Sequence, residues 1–157
     1  MSGSMRCIAT QALYVCIISL IGCGDGRPAR VPVAGKVSID GQPLTYGVVR
    51  FVPNGARVSS GRINSDGTFK LGCFEQDDGA VTGQHRVEVS GAEVLGDTKT
   101  RWHAPKKYSN YTNSGLTQEI SGPVDSLEIK LSWDGGKPFM EVIEGDEEER
   151  GPRKRAK

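Results

Sequence analysis

Between Val33 and Trp133 the apolar residues recur at every second position, in short runs that glycine, aspartate and proline interrupt before a helix could form. The clearest run is "SLEIKLSW", where Leu127, Ile129, Leu131 and Trp133 share one face and Ser126, Glu128, Lys130 and Ser132 the other. In extended chain successive side chains point to opposite faces, so this spacing makes a strand that buries one side. "VAGKVSID" repeats the pattern, with Val33, Val37 and Ile39 in phase with Gly35, and "GVVRFVP", "ARVSSGRIN", "TFKLGCF", "QHRVEVS" and "LTQEIS" follow it. No segment keeps a helical period over about ten residues, and 21 glycines suit a chain of many turns. Seven short alternating strands predict an antiparallel β-sandwich.

The turns have a stated chemistry. Asp40-Gly41 and Asp66-Gly67 place a glycine where a tight hairpin demands positive φ. Gly35, inside a strand, marks close backbone packing or a bulge. Gly79 and Gly83 flank Ala80 where the chain turns back into a strand. The segment from Gly91 to Gly115 is too long for an ordinary hairpin loop and predicts a short helical turn or an extra strand near "AEVL" or "TRWH".

The two ends differ from this middle. Ile8 to Ile21 is apolar nearly all round, follows Arg6, and is shorter than the roughly 20 residues a membrane-spanning helix needs. It matches the apolar region of an export signal starting at Met1 or Met5. Leu20-Ile21-Gly22-Cys23 closes the run and resembles a bacterial lipoprotein box, which implies cleavage before Cys23 and a diacylglyceryl group on its sulfur. Residues 1–22 are therefore expected to be a lipoprotein signal peptide, 23–32 a tether, 33–133 the folded domain, and 134–157 a charged, disordered tail. Within that tail seven acidic residues lie mostly ahead of six basic ones, and "PFMEVI" is apolar enough to add as an edge strand or dock on a partner.

Loss of residues 1–22 removes Arg6 alone among charged residues and leaves acidic and basic residues equal in number, which argues against a nucleic-acid partner. Of the four cysteines, Cys7 and Cys16 lie in the signal and Cys23 is the lipid site. Cys73 stands alone in the folded part, in phase with Phe69 and Leu71, and reads as a small core residue rather than a reactive thiol. No cofactor is expected beyond the lipid.

"VPVAGKVSIDGQPLTYGVVRFVP", "GRINSDGTFKL", "GAVTGQHRVEV" and "APKKYSNYTNSGLTQEI" together resemble the carboxypeptidase-regulatory-like, transthyretin-like (prealbumin-like) domain, and more closely the small bacterial lipoproteins of that type. The resemblance covers about residues 31–133 and implies an all-β, seven-stranded, antiparallel Greek-key sandwich. It specifies a fold far better than a function.

Enzymes also use such sandwiches, and this chain carries titratable residues of the types they employ. His85, His103, Tyr108 and Tyr111 supply the types that bind non-haem iron in intradiol dioxygenases, but there the paired histidines sit close together and here they are 18 apart. The C-terminal Tyr-Arg-Gly-Ser of hydroxyisourate hydrolases is replaced by "RKRAK". The chain is therefore read as no enzyme. His85 is expected at a strand end with a local hydrogen bond. Glu75, Asp77 and Asp78 are expected to form a solvated acidic turn rather than a calcium site, and the sequon at Asn110 carries no expected glycan. Trp102, His103, Tyr108 and Tyr111 form the candidate binding loop for sugar or peptide, set against a simpler role in which Trp102 and Tyr108 cover the open end of the sandwich. The expectation is a lipid-anchored protein of the cell membrane or outer membrane, acting as a structural or protein-interaction module on an envelope protein. Glycan binding through residues 102–111 is the alternative. Gly24 behind the anchor cysteine resembles outer-membrane sorting.

Overall fold

The computed structural model describes residues 26–143, so Cys23, the expected leader before it, and residues 144–157 lie outside the described residues. Thirteen strands follow one another: β1 (Arg30–Val31), β2 (Val33–Ile39), β3 (Gln42–Pro43), β4 (Gly47–Pro53), β5 (Ser59–Ile63), β6 (Thr68–Lys70), β7 (Ala80–Val81), β8 (Gly83–Ser90), β9 (Ala92–Val94), β10 (Lys99–Trp102), β11 (Leu116–Ile120), β12 (Val124–Leu131) and β13 (Phe139–Val142). A 3-10 turn, Lys106–Ser109, precedes β11. Among the described residues no helix is long and apolar enough to cross a membrane.

Two four-stranded sheets enclose the core. One runs β11-β8-β4-β5; the other runs β12-β2-β3, with β6 also on β2. Their inner faces meet where Phe51 of β4 and Phe69 of β6 approach to 6.3 Å between ring centres. Val37, Val49, Val89 and Leu71 are wholly buried around that contact, and the period-two pattern explains why. In β2 and β4 every second residue is buried, as the spacing predicts. In β8, His85, Val87 and Val89 point inward together.

The turn chemistry holds at particular residues. β2 and β3 form a two-residue hairpin in which Asp40 and Gly41 have φ of 47° and 81°, the paired positive values of a type I′ turn. A Cβ on Gly35 would lie 2.2 Å from the Leu127 carbonyl oxygen, and the β12 register shifts between Val124 and Leu127 beside it. Gly35 therefore permits a close approach at a bulge.

Three expectations need correction. The fold is all-β, but its strands number thirteen among the described residues rather than seven, because short connecting segments pair with their neighbours. It is not purely antiparallel: β12 lies parallel to β2. Residues 121–123 carry the chain from β11, at the edge of one sheet, to β12, at the edge of the other, so the last core strand docks beside an early one with no hairpin between them. Nor are the tether and tail featureless where they are described. Arg30–Val31 pairs with Ala80–Val81, and Phe139–Val142 pairs with β10. That second pairing completes a three-stranded outer sheet, β13-β10-β9, separate from the two core sheets.

Candidate functional site

The outer sheet grows directly out of β8. After Ser90, a single glycine separates β8 from β9, and a Cβ on Gly91 would come within 2.7 Å of the Ala104 backbone nitrogen. Ala104 is fully buried there, and His103 N–H donates to the Gly91 carbonyl at 2.8 Å. This joint is the root from which β9 and β10 project.

On one face of the outer sheet Trp102 and Phe139 sit directly opposite each other, with ring planes only 16° apart and centres 6.3 Å apart. The Lys106 ammonium stands 5.1 Å from the Trp102 ring and 5.9 Å from that of Phe139. Glu141 ties the group together, accepting from Trp102 Nε1 at 2.8 Å and from Lys106 Nζ. The bond from Lys106, then that from Trp102, holds the Glu141 carboxyl below the usual carboxylate range. On the opposite face Glu93 Oε2 meets His103 Nε2 at 2.8 Å and Arg101 at 3.2 Å. The His103 hydrogen bond lowers the Glu93 pKa; partial burial opposes this, and Arg101 adds to it. Tyr46 lies against His103, with ring centres 5.1 Å apart.

The four loop residues singled out from the sequence do not converge. Trp102 and His103 lie on adjacent positions with their contacts on opposite faces of the outer sheet. Tyr108 is buried in the core cluster, and its hydroxyl accepts from the Ser132 N–H at 3.2 Å. Tyr111 lies over β8, where Arg86 stands 4.7 Å from its ring and its N–H donates to Glu88 Oε2 at 3.3 Å. Among the described residues no ring contact joins any two of the four.

The other candidates have structural tasks. His85 is interior to β8 and fully buried, not at a strand end; its Nε2 donates to the Val81 carbonyl at 2.9 Å, and its Nδ1 is buried with no hydrogen-bond partner among the described residues. Cys73 is buried, with Sγ 3.7 Å from the Arg57 carbonyl. Asp78 organises the acidic turn: its carboxylate accepts from the Cys73, Phe74 and Glu75 N–H groups and pairs with Arg30 at 2.9 Å. Burial pushes the Asp78 pKa up, and those three N–H groups with Arg30 more than reverse it, so the net shift is downward. Glu75 pairs with Arg27, and Arg27, Arg30 and Arg57 all stand about the Phe74 ring, at 5.1, 4.9 and 5.0 Å. Asn110 Oδ1 caps its own turn through the Thr112 N–H and hydroxyl. Cys23 lies outside the described residues.

The sequence pointed to "PFMEVI" as an edge strand or docking segment, but not to the exposed apolar surface it forms with β9 and the residue after β9. Of eight large hydrophobic side chains exposed among the described residues, six are Val94, Leu95, Phe139, Met140, Val142 and Ile143, all in or next to the outer sheet. The signal was present as the apolar "PFMEVI" run inside a charged segment. No family model matches this chain, and no curated protein or solved structure matches it either.

Proposed function

We propose that this chain is a non-catalytic envelope protein, anchored through a diacylglyceryl group on Cys23, whose folded domain binds another protein through the β9-β10-β13 sheet. The finer fold reading belongs to the same proposal: a Greek-key, transthyretin-like sandwich carrying this sheet as an addition. The observation that carries the reading is the concentration of exposed apolar side chains there. Isolated exposed hydrophobic residues are ordinary on any surface; four within one small open-edged sheet and two directly beside it support an interaction site. An incoming strand adding to such an edge is a recurrent mode of protein recognition.

Two measurements test the two halves. The intact mass of protein extracted from native membranes gives the anchor: residues 23–157 plus a diacylglyceryl adduct, lost in a Cys23→Ser variant. An unmodified full-length mass in the soluble fraction rejects it. A photo-crosslinking residue at Met140 is expected to capture a protein in the envelope, while the same residue at Lys130, on the exposed face of β12, captures none. Equal capture at both rejects the sheet as the binding surface.

A second reading, glycan binding, has one observation in its favour. Trp102 and Phe139 present near-parallel rings side by side, the kind of platform a sugar ring stacks on. Lys106 stands over both rings and competes for that face. The platform replaces the residue 102–111 loop as the place to test: Trp102→Ala with Phe139→Ala is expected to leave the fold intact and, under this second reading alone, to abolish binding to immobilised polysaccharide.

A further inference from the structure

The described part of the expected tether is docked on the domain. Arg27 pairs with Glu75 at 3.0 Å and Arg30 with Asp78 at 2.9 Å, and both guanidinium groups stand over the Phe74 ring. Arg57, from the loop between β4 and β5, meets the same ring at 5.0 Å. β1 follows at once and pairs with β7. The leash between Cys23 and the docked chain is therefore short. Arg27 lies four residues after Cys23, and four residues span at most about 14 Å however the chain runs. A free tether over all of residues 23–32 would reach about 35 Å.

The core strands fix where this end lies relative to the outer sheet. β2 and β8 both start beside the β1-β7 pair, after Pro32 and Thr82 respectively. β12 runs parallel to β2, from Val124 opposite Val33 to Leu131 opposite Ile39. All three finish at the outer sheet. β8 enters it through Gly91, and β12 leads to it through Trp133 and Asp134. β2 ends at Asp40, whose carboxylate accepts from the Trp133 N–H at 3.2 Å. From Gly83 to Ser90 the rise is about 24 Å, at about 3.4 Å per residue. The docked tether and the outer sheet are thus opposite poles of the sandwich.

We infer that the domain stands end-on to the bilayer that holds its lipid, with the Phe74 pole against the phospholipid headgroups and the outer sheet carried about one strand length further out. The inference rests on the anchor proposed above and places the interaction surface relative to it. The near pole suits headgroups. β4 ends there with Pro53 opposite His85, and the loop that follows presents Arg57, which is exposed. No ion pair among the described residues uses Arg57, so its guanidinium is placed to meet a lipid phosphate. The exposed large hydrophobic side chains follow the same axis. Six are at the outer sheet, Tyr46 touches His103 beside it, and Val58 lies in the Arg57 loop. The flanks between the poles carry none among the described residues, so nothing apolar holds the domain on its side. The outer sheet then meets its partner in the aqueous space: a protein segment that lies outside the anchoring bilayer.

The test places a fluorescent amino acid in the lipidated full chain, reconstituted in phosphatidylcholine vesicles whose headgroups carry a short-range spin-label quencher. At Asn54, in the loop that carries Arg57, most of the emission is expected to be lost. At Met140, in β13, it is expected to be kept. Both side chains are exposed, so either position accepts the probe without disturbing the core. Loss at both positions would mean a domain lying along the bilayer, and overturns the end-on arrangement. Retention at both, with the diacylglyceryl adduct present by mass, overturns the short leash. Loss at Met140 alone puts the sheet at the lipid, and overturns both the arrangement and the reading of that sheet as a protein-binding surface. A chain with neither adduct nor vesicle binding overturns the anchor itself.

Discussion

β8 and β9 are almost one strand, divided by Gly91, yet they live in different worlds. Val89, one residue before Ser90, is wholly buried; Val94, in β9, is 73% exposed. β8 is flanked by β4 and β11 and covers the core with every second residue. β9 belongs to a sheet in which no residue is fully buried, with apolar side chains on both faces and an open edge. What holds the two regions together differs accordingly. The core sheets are stabilised by removing valine, leucine and phenylalanine from water. The outer sheet is held by backbone pairing, one near-parallel ring pair and a few charge-assisted bonds through Glu93 and Glu141. Stability concentrated in one region leaves the other free for a surface that would otherwise be costly to expose.

The largest effect that separates the regions is loss of a phenylalanine from each. Phe51 is fully buried against Phe69 and His85. Phe51→Ala is expected to destabilise by about 3–5 kcal/mol, from lost transfer energy and the cavity left behind. Phe139 is 41% exposed, and Phe139→Ala is expected to cost about 1 kcal/mol, largely its contact with Trp102. Denaturant unfolding of both variants measures the contrast. Equal losses would mean that the outer sheet is part of the core's cooperative unit.

Next in size is Asp78, which ties the start of the folded domain to the loop after β6. Asp78→Asn is expected to cost about 1–3 kcal/mol at neutral pH, because an amide replaces a carboxylate that accepts three N–H groups and pairs with Arg30. The pH dependence has a definite sign. The folded pKa lies below the usual aspartate value, so the stabilisation is fully present above that value and disappears as pH falls through the folded pKa. The gap between wild type and variant therefore closes on acidification. A gap that widened toward acid would contradict the assignment of Asp78 as an ionised anchor.

How much of this was legible in the sequence divides along the same line. Where a strand buries one face, the alternation announces it: Val33, Val37 and Ile39, or His85, Val87 and Val89, are buried where their spacing put them. The Asp40-Gly41 hairpin and the close approach at Gly35 were legible for the same reason, a local conformational need met by one residue type. β9, β10 and β13 bury no face fully and carry no clean alternation, so they were legible only as an extra strand near "AEVL" or "TRWH" and an edge strand at "PFMEVI", without their pairing. The parallel pairing of β12 with β2 had no local sign, because it depends on where a distant strand docks. Glu88 is a further case: it lies on the outward face of β8 yet is buried, because Arg50 and the Tyr111 segment close over it. The candidate loop at Trp102–Tyr111 was located by residue type alone; burial of Tyr108 and the separate contacts of Trp102, His103 and Tyr111 were set by tertiary packing.

The smallest effect tests the join between the regions. Lys107, beside the buried Tyr108, pairs with Asp134 in the turn that leads to β13. The hydrogen bond to Asp134 raises the Lys107 pKa, and its counterpart lowers that of Asp134, so the pair is ionised at neutral pH. Both side chains are largely exposed, so solvent screens the pair and Lys107→Ala is expected to leave global stability nearly unchanged. Its local effect is expected to be larger in kind. Without the pair, the segment from Trp133 to Phe139 loses an attachment near the core, and β13 opens from β10 more often. Amide exchange of β13 in the variant should then accelerate, while that of β4 and β8 stays unchanged. High salt should produce the same shift in the wild type, by screening an exposed pair. Uniform acceleration across β4, β8 and β13 would instead show that the outer sheet does not open independently of the core.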